Sequence, residues 1–515
     1  MKKINETLSL GLIVISLSIA ATLSACADTP ADRMETWSSP TPIVATDTPV
    51  PPTETRIPST PMVAQSTPTL PPTLAPTLNT ATLPPPQYVI SATLDYGWRV
   101  LTIEQDIVYP NTSSEFIPTL MLVVQPNWYP DVFHLTDLAW GDGQPVQDYT
   151  LDGIRLQIPL AEALTPGKTL QLSLTYELTL PLLSALEGFG PNPFGYTSRQ
   201  TNLTDWYPFV PPYIEGRGWL VHNPWFYGEH LVYPLADFEV EIRITDAPDG
   251  IVIAASALDE GDGDVHVYRM EGSRNFVWSA SPEYRVFQEQ VGEVSVLGYA
   301  FPYDVIPGEA AFTATVDALE LYTQLFGPYP FESLSMVQAD FDHGMEYQGL
   351  YFLSKAFYST YEGSAASYLV TIAAHETSHQ WWFGLVGSDQ ALEPWLDEAL
   401  ATYSERLFLE NLYPEALDWW WNYRVSWYEP TGWVDTSIYD AGGYLPYRNA
   451  VYLNGALFLE DLRALVGDEA FFAFLQDYAS RNPDGPVTGD DFFAILREHS
   501  DADWSGLVAE YFRGQ

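Results

Sequence analysis

At 515 residues and 46% apolar content the chain is too long for one ordinary domain and can bury a large core, so two or three domains are expected. Lys and Arg total 21 against 67 Asp and Glu, a formal charge of -46, which speaks against nucleic acid as a partner and suits a soluble body or one that attracts basic substrates. The single cysteine, Cys26, excludes an internal disulfide and a thiolate metal cluster.

The first residues form a short basic opening followed by an apolar run from Leu8 to about Leu23 and then Leu23-Ser24-Ala25-Cys26. This resembles a bacterial lipoprotein signal peptide over 1–25, with Cys26 lipidated after cleavage. The alternative is an uncleaved membrane-spanning anchor, and in either case the body is expected outside the cytoplasm, held to a membrane. Residues 26–87 are rich in Thr, Pro, Ala and Ser and poor in large apolar groups, so they are expected to form an extended, disordered tether. Proline keeps such a segment stiff, at roughly 3 Å per residue where fully extended.

From Tyr88 onward the dominant period is two. Leu170, Leu172, Leu174, Tyr176 and Leu178 alternate as in a half-buried strand, and Phe238, Val240, Ile242 and Ile244 repeat the pattern. Asp152-Gly153 and Asp249-Gly250 supply turns, and the aromatic passage Asp205 to Trp219 reads as an ordered loop. A β-rich domain is therefore expected over 88–300. After Pro307 the period becomes helical through Phe312, Val316, Leu319, Tyr322 and Leu325, ending at Gly327-Pro328. A second domain, mostly helical with one small strand pair near Leu334–Ala339 and Leu350–Leu353, is expected over 301–515. The fold class is multidomain α+β.

Within that second domain Ala374-His375-Glu376-Thr377-Ser378-His379-Gln380 puts two histidines four apart. On a helix they project within about 40° of each other and can share one ion, while Glu376 lies about 100° around, in reach of a water on that ion. A catalytic zinc site needs a third protein ligand and an open position. Glu398 follows His379 by 19 positions on a second helix-like stretch, an interval that a turn and a returning helix would span.

These residues resemble the zinc signature of the aminopeptidase N family of gluzincin metallopeptidases. Trp395-Leu396-Asp397-Glu398-Ala399 resembles the family's W-L-N-E-G, and His343-Gly344-Met345-Glu346-Tyr347 resembles its G-A-M-E-N substrate motif. Phe326 to Phe331 and Tyr452 to Leu457 match two further segments in order. The resemblance implies a saddle-like β-rich domain ahead of a thermolysin-like catalytic domain, one Zn2+ held by His375, His379 and Glu398, and peptide substrates. It also implies Glu376 as general base, Tyr452 as transition-state donor, Glu346 as anchor for the substrate amine, and Gly344 and Met345 beside it in substrate binding.

Three departures qualify it. Tyr347 and His343 replace the asparagine and first glycine of G-A-M-E-N, and the β domain offers only Gln200 as a counterpart for the family's second amine-binding residue. The sequence also runs only 117 residues past Glu398, so no large C-terminal helical domain is expected and the cleft should be more open. An endopeptidase is therefore the alternative to an aminopeptidase, and an inactive binding protein on a peptidase fold is a third reading. The other histidines, His134, His222, His230, His266 and His499, lack metal-ligand spacing, and the oligomeric state is left open.

Overall fold

The computed structural model describes residues 83–186, 193–342, 344–481 and 485–513. The signal peptide, Cys26, nearly all of the tether and His343 lie outside the described residues. Among the described residues no helix is long and apolar enough to cross a membrane.

The alternating segments become a six-stranded sheet in the order His266–Ser273, Ala236–Thr245, Gln87–Asp95, Val100–Pro110, Thr169–Thr179 and Phe133–Trp140. Gln87–Asp95 runs parallel to Ala236–Thr245 and antiparallel to Val100–Pro110. Its inward residues Tyr88, Ile90, Ala92 and Leu94 are buried, as are Leu172, Leu174, Tyr176 and Leu178. Period-two alternation thus gives each strand one wet and one dry face. Sheets of four, three and two strands complete this half, and the aromatic passage is ordered because Trp206, Tyr207, Phe209 and Val210 are in its core. Trp206 donates from its indole nitrogen to the carbonyl of Phe276 at 3.1 Å.

The boundary expected at 300 falls at the end of a strand whose sheet continues into the second half. Arg285–Val291 and Val294–Ala300 form a hairpin whose second strand pairs in parallel with Ser333–Gln338. The sheet of the second half therefore has five strands, continuing through Leu350–Leu353 to the edge strand Met345–Tyr347, rather than one short pair. Hydrogen bonding across residues far apart in sequence draws the hairpin to the helical side. All described residues belong to one compact unit, Thr80–Gln515.

Four helices then frame the site. Helix α1 (Val305–Phe326) ends at Gly327, where φ is 113°, as the glycine-proline stop predicts. A short α2 (Lys355–Ser359) leads to α3 (Tyr368–His379), capped by the Ser367 hydroxyl, and α4 is Trp395–Leu412. Ala373 and Ala374 of α3 are fully buried in the helical core. Three π-helical turns interrupt the helical half: Gln380–Leu385, Trp420–Val425 and Asn449–Asn454. Such widened turns re-aim side chains, and each of these three supplies a residue to the site described next.

Candidate metal centre and peptide cleft

Helix α3 ends on the two histidines, and α4 begins with Asp397 and Glu398 in its first turn, where the helix N-terminus favours carboxylates. The return of the chain brings Glu398 Oε2 to 3.3 Å from His375 Nε2 and 3.7 Å from His379 Nε2. One donor atom from each of the three residues lies within 4.8 Å of the other two, and all three side chains are buried. Among the described residues Glu398 Oε2 finds no hydrogen-bond partner. Three converging donors, one of them an orphaned buried carboxylate oxygen, fit a zinc ion of the catalytic type, with two histidines and one glutamate.

The far sides of both imidazoles are fixed by carboxylates, which orients each Nε2 inward. His375 Nδ1 meets Glu405 Oε1 at 3.0 Å, and His379 Nδ1 meets Asp397 Oδ1 at 2.5 Å. Burial alone would lower the His375 imidazole, but Glu398 and Glu405 outweigh it and raise it to about 10, so the pocket favours positive charge there. Glu405 is itself fully buried. It accepts two hydrogen bonds from Arg424, at 2.7 and 3.0 Å, and one from the Trp420 indole at 2.8 Å. Burial would raise its carboxyl, yet Arg424 and His375 hold it below the usual range.

Glu376 lies on α3 beside the triad, with Oε2 buried and without a hydrogen-bond partner among the described residues. Burial pushes its carboxyl up, to about 7, against the opposing pull of His375 and His379. A Cβ at Gly344 would stand 2.7 Å from Glu376 Oε1, so the motif glycine is what lets the edge strand and this carboxylate approach. Tyr452, on the third π turn, donates to Glu398 Oε1 at 2.5 Å, and its ring lies 6.2 Å from that of His375 at 5° between planes. Its hydroxyl stays protonated, because burial and the Glu398 charge raise it well above the usual tyrosine value. Gly455 permits this placement, since a Cβ there would stand 2.5 Å from that of Ala399 on α4.

Glu346 sits in the edge strand, opposite Tyr351, and its Oε1 accepts from Gln390 at 3.2 Å. Gln390 also donates to Asp397 at 2.6 Å, so one amide bridges the Glu346 carboxylate and the carboxylate that orients His379. Met345 is buried and lines the groove beside the cleft. Gln380, the first residue after α3, donates to the carbonyl of Tyr347 at 2.9 Å and accepts from Gly349 at 2.9 Å, tying the edge strand to the end of α3.

Several site residues carried no local signal. Glu229, from the β-rich half, has a donor oxygen within 4.8 Å of those of Glu346 and Glu398, and its Oε2 is buried without a hydrogen-bond partner among the described residues. Burial and the neighbouring acids raise both Glu229 and Glu346 well above ordinary carboxylates. Gln200 is not in this cluster. Its amide donates to Tyr284 at 2.6 Å and to the carbonyl of Gln338 at 3.0 Å, and accepts from Asp340 at 2.9 Å, so it is committed to packing. His222, His266 and His499 pair with aspartates, and His230 with Gln125. Glu405 could have been suspected, since it stands seven residues after Glu398, two helical turns along one face.

Residues 310–442 match the Peptidase family M1 domain. The chain is 29% identical over 224 residues to an aminopeptidase N of Streptomyces lividans, a stretch that is 39% of this chain and 26% of that relative. It is 28% identical over 220 residues to an aminopeptidase N of Lactobacillus helveticus, covering 38% and 25%. The aligned stretches thus span about a quarter of the length of these curated relatives. Among solved structures, a mutant M1 zinc metallopeptidase from Deinococcus radiodurans superposes with a TM-score of 0.59 at 20% identity, over 83% of this chain and 94% of that one. The same enzyme bound to a Tyr-Ser-Ala substrate gives the same score, over 83% and 93%. The likeness shows a shared fold across both halves and bears out the expected two-part architecture.

Proposed function

We propose, on the premise that residues 310–442 are a Peptidase family M1 domain, that this protein is a zinc metallopeptidase that releases N-terminal residues from peptides. The observation that carries the reading is the meeting of His375, His379 and Glu398 with Glu376, Tyr452 and the acid pair Glu229 and Glu346 in one cleft. Zinc held by the triad supplies Lewis acidity, lowering the pKa of water toward about 7 and polarising a carbonyl.

The chain's own groups do the rest. Glu376 accepts the proton of the attacking water and passes it to the leaving amine. Tyr452 turns its phenol from Glu398 to the oxyanion, which it stabilises as a hydrogen-bond donor. Glu229 and Glu346 crowd two carboxylates into a buried corner, so an incoming α-ammonium group relieves their repulsion and is held in place. That placement sets the first peptide bond over the metal side. The edge strand Met345–Tyr347 leaves one side unpaired by any described strand, where an extended peptide can add.

The expected result is that a peptide with a free amino terminus is cleaved and its acetylated counterpart is not, and that Glu346→Gln lowers kcat/KM for the free peptide about tenfold to a hundredfold. Equal cleavage of both would instead favour the second reading, an endopeptidase. A groove of about 850 Å3 sharing Glu229, Gly344, Tyr444 and Tyr452 with the cleft is the observation behind that alternative.

We further propose that a lipid on Cys26 tethers the body outside a bacterial membrane through the Pro/Thr-rich segment. Cys26→Ser is expected to move the protein from the membrane fraction to the soluble one. Unchanged fractionation and mass at the amino terminus would refute it.

A further inference from the structure

The cleft of about 370 Å3 is lined by four acids, Glu229, Glu346, Glu376 and Glu398, and by two cations, Arg424 and Arg448. Arg424 is committed to Glu405. Arg448 is not: it lies beyond ion-pair distance of every described carboxylate, in a chain with 67 acidic residues against 21 basic ones. Its guanidinium rests on the ring of Tyr428 at 3.9 Å and donates from Nε and Nη2 to the neutral side chain of Asn449, at 3.3 and 2.8 Å.

Those contacts hold the fork in place while leaving its other N–H groups uncommitted among the described residues. A half-buried guanidinium braced by an aromatic face and a neutral amide is a preorganised receptor for a carboxylate, which it can take in bidentate fashion. Position adds to this. Arg448 stands four residues before Tyr452, about one helical turn, and both line the cleft together with the metal triad. Along the cleft wall, acids that suit an ammonium are thus joined by one unneutralised cation on the Tyr428 and Tyr444 side.

We propose that Arg448 binds the C-terminal carboxylate of the substrate, so that the peptides this protein takes are short, free and zwitterionic rather than the ends of long chains. The proposal rests on the aminopeptidase reading above, which fixes the ammonium at Glu229 and Glu346. It sets specificity by charge at both termini, with the body of the peptide lying across the metal site between them.

The test uses the full zinc-loaded chain with tri-alanine, its C-terminal amide and hexa-alanine. Wild type is expected to favour tri-alanine over the amide by about tenfold to a hundredfold in kcat/KM, mainly through KM, and to favour it over hexa-alanine. Arg448→Gln should bring the acid-to-amide ratio to near one, and Arg448→Lys should keep part of the preference. Binding of tri-alanine and its amide to Glu376→Gln and to Glu376→Gln/Arg448→Gln, by calorimetry, gives the same comparison without turnover. Equal handling of acid and amide by wild type, or a preference that survives Arg448→Gln, overturns the proposal. Failure of the underlying reading shows differently, as turnover by Glu376→Gln or indifference to amino-terminal acetylation.

Discussion

Glu376→Gln is expected to keep its zinc and to lose about 10² to 10⁴ in kcat, with KM little changed. The substitution preserves shape and leaves His375, His379 and Glu398 with their orienting carboxylates, while removing the group that can accept a proton beside the metal. Metal analysis together with steady-state kinetics checks both halves. Retained zinc with retained rate would remove Glu376 from the chemistry, whereas lost zinc would mean that it holds the site together. In the same assay Tyr452→Phe should cost about 10² to 10³ in kcat, the scale of one oxyanion donor. Although the Tyr452 hydroxyl rests on Glu398 in the free protein, metal affinity should stay within the roughly tenfold loss expected of an outer partner while kcat falls further, if its work is in the transition state.

Arg424→Met should be the most destabilising single change around the site, by about 3 to 5 kcal/mol. Glu405 is fully buried, and Arg424 supplies two of its hydrogen bonds and its compensating charge. Urea unfolding of the zinc-free protein measures that loss. A zinc competition titration on the same variant should show affinity down about tenfold to a hundredfold, because the Glu405 that orients His375 is no longer held. Replacing both members, Arg424→Met with Glu405→Leu, should return much of the stability, since no buried charge is then left alone, yet should not return zinc affinity. Recovery of both would mean that Glu405 serves packing and not the metal.

Much of the site was legible because it is local. Two histidines one helical turn apart and a glutamate between them depend only on helix geometry, and the strand alternation of Leu172, Leu174 and Tyr176 depends only on the two-residue repeat. The stop of α1 at Gly327 could be read from glycine and proline for the same reason. The extent of the second sheet was harder to read. The hairpin Arg285–Ala300 alternates like any strand of the β-rich half, and nothing within it tells which sheet its edge will join. Gln200 is ambiguous for a similar reason, since a lone amide in a polar stretch looks the same whether it faces a ligand or locks a core.

What the sequence by itself determined is the local part of the candidate site: His375, Glu376 and His379 on one helix, with Glu398 at a spacing that allows a return. What only the tertiary structure decided is which charges surround that part. Glu229 reaches the site from the β-rich half, Arg424 and Tyr452 from separate π turns, and Arg448 lines the cleft without an ion pair to any described acid. Each depends on contacts between segments far apart in the chain. The physical reason is that helix and strand periodicities act over a few residues, whereas burial and Coulomb pairing act through space, between whichever side chains folding brings together.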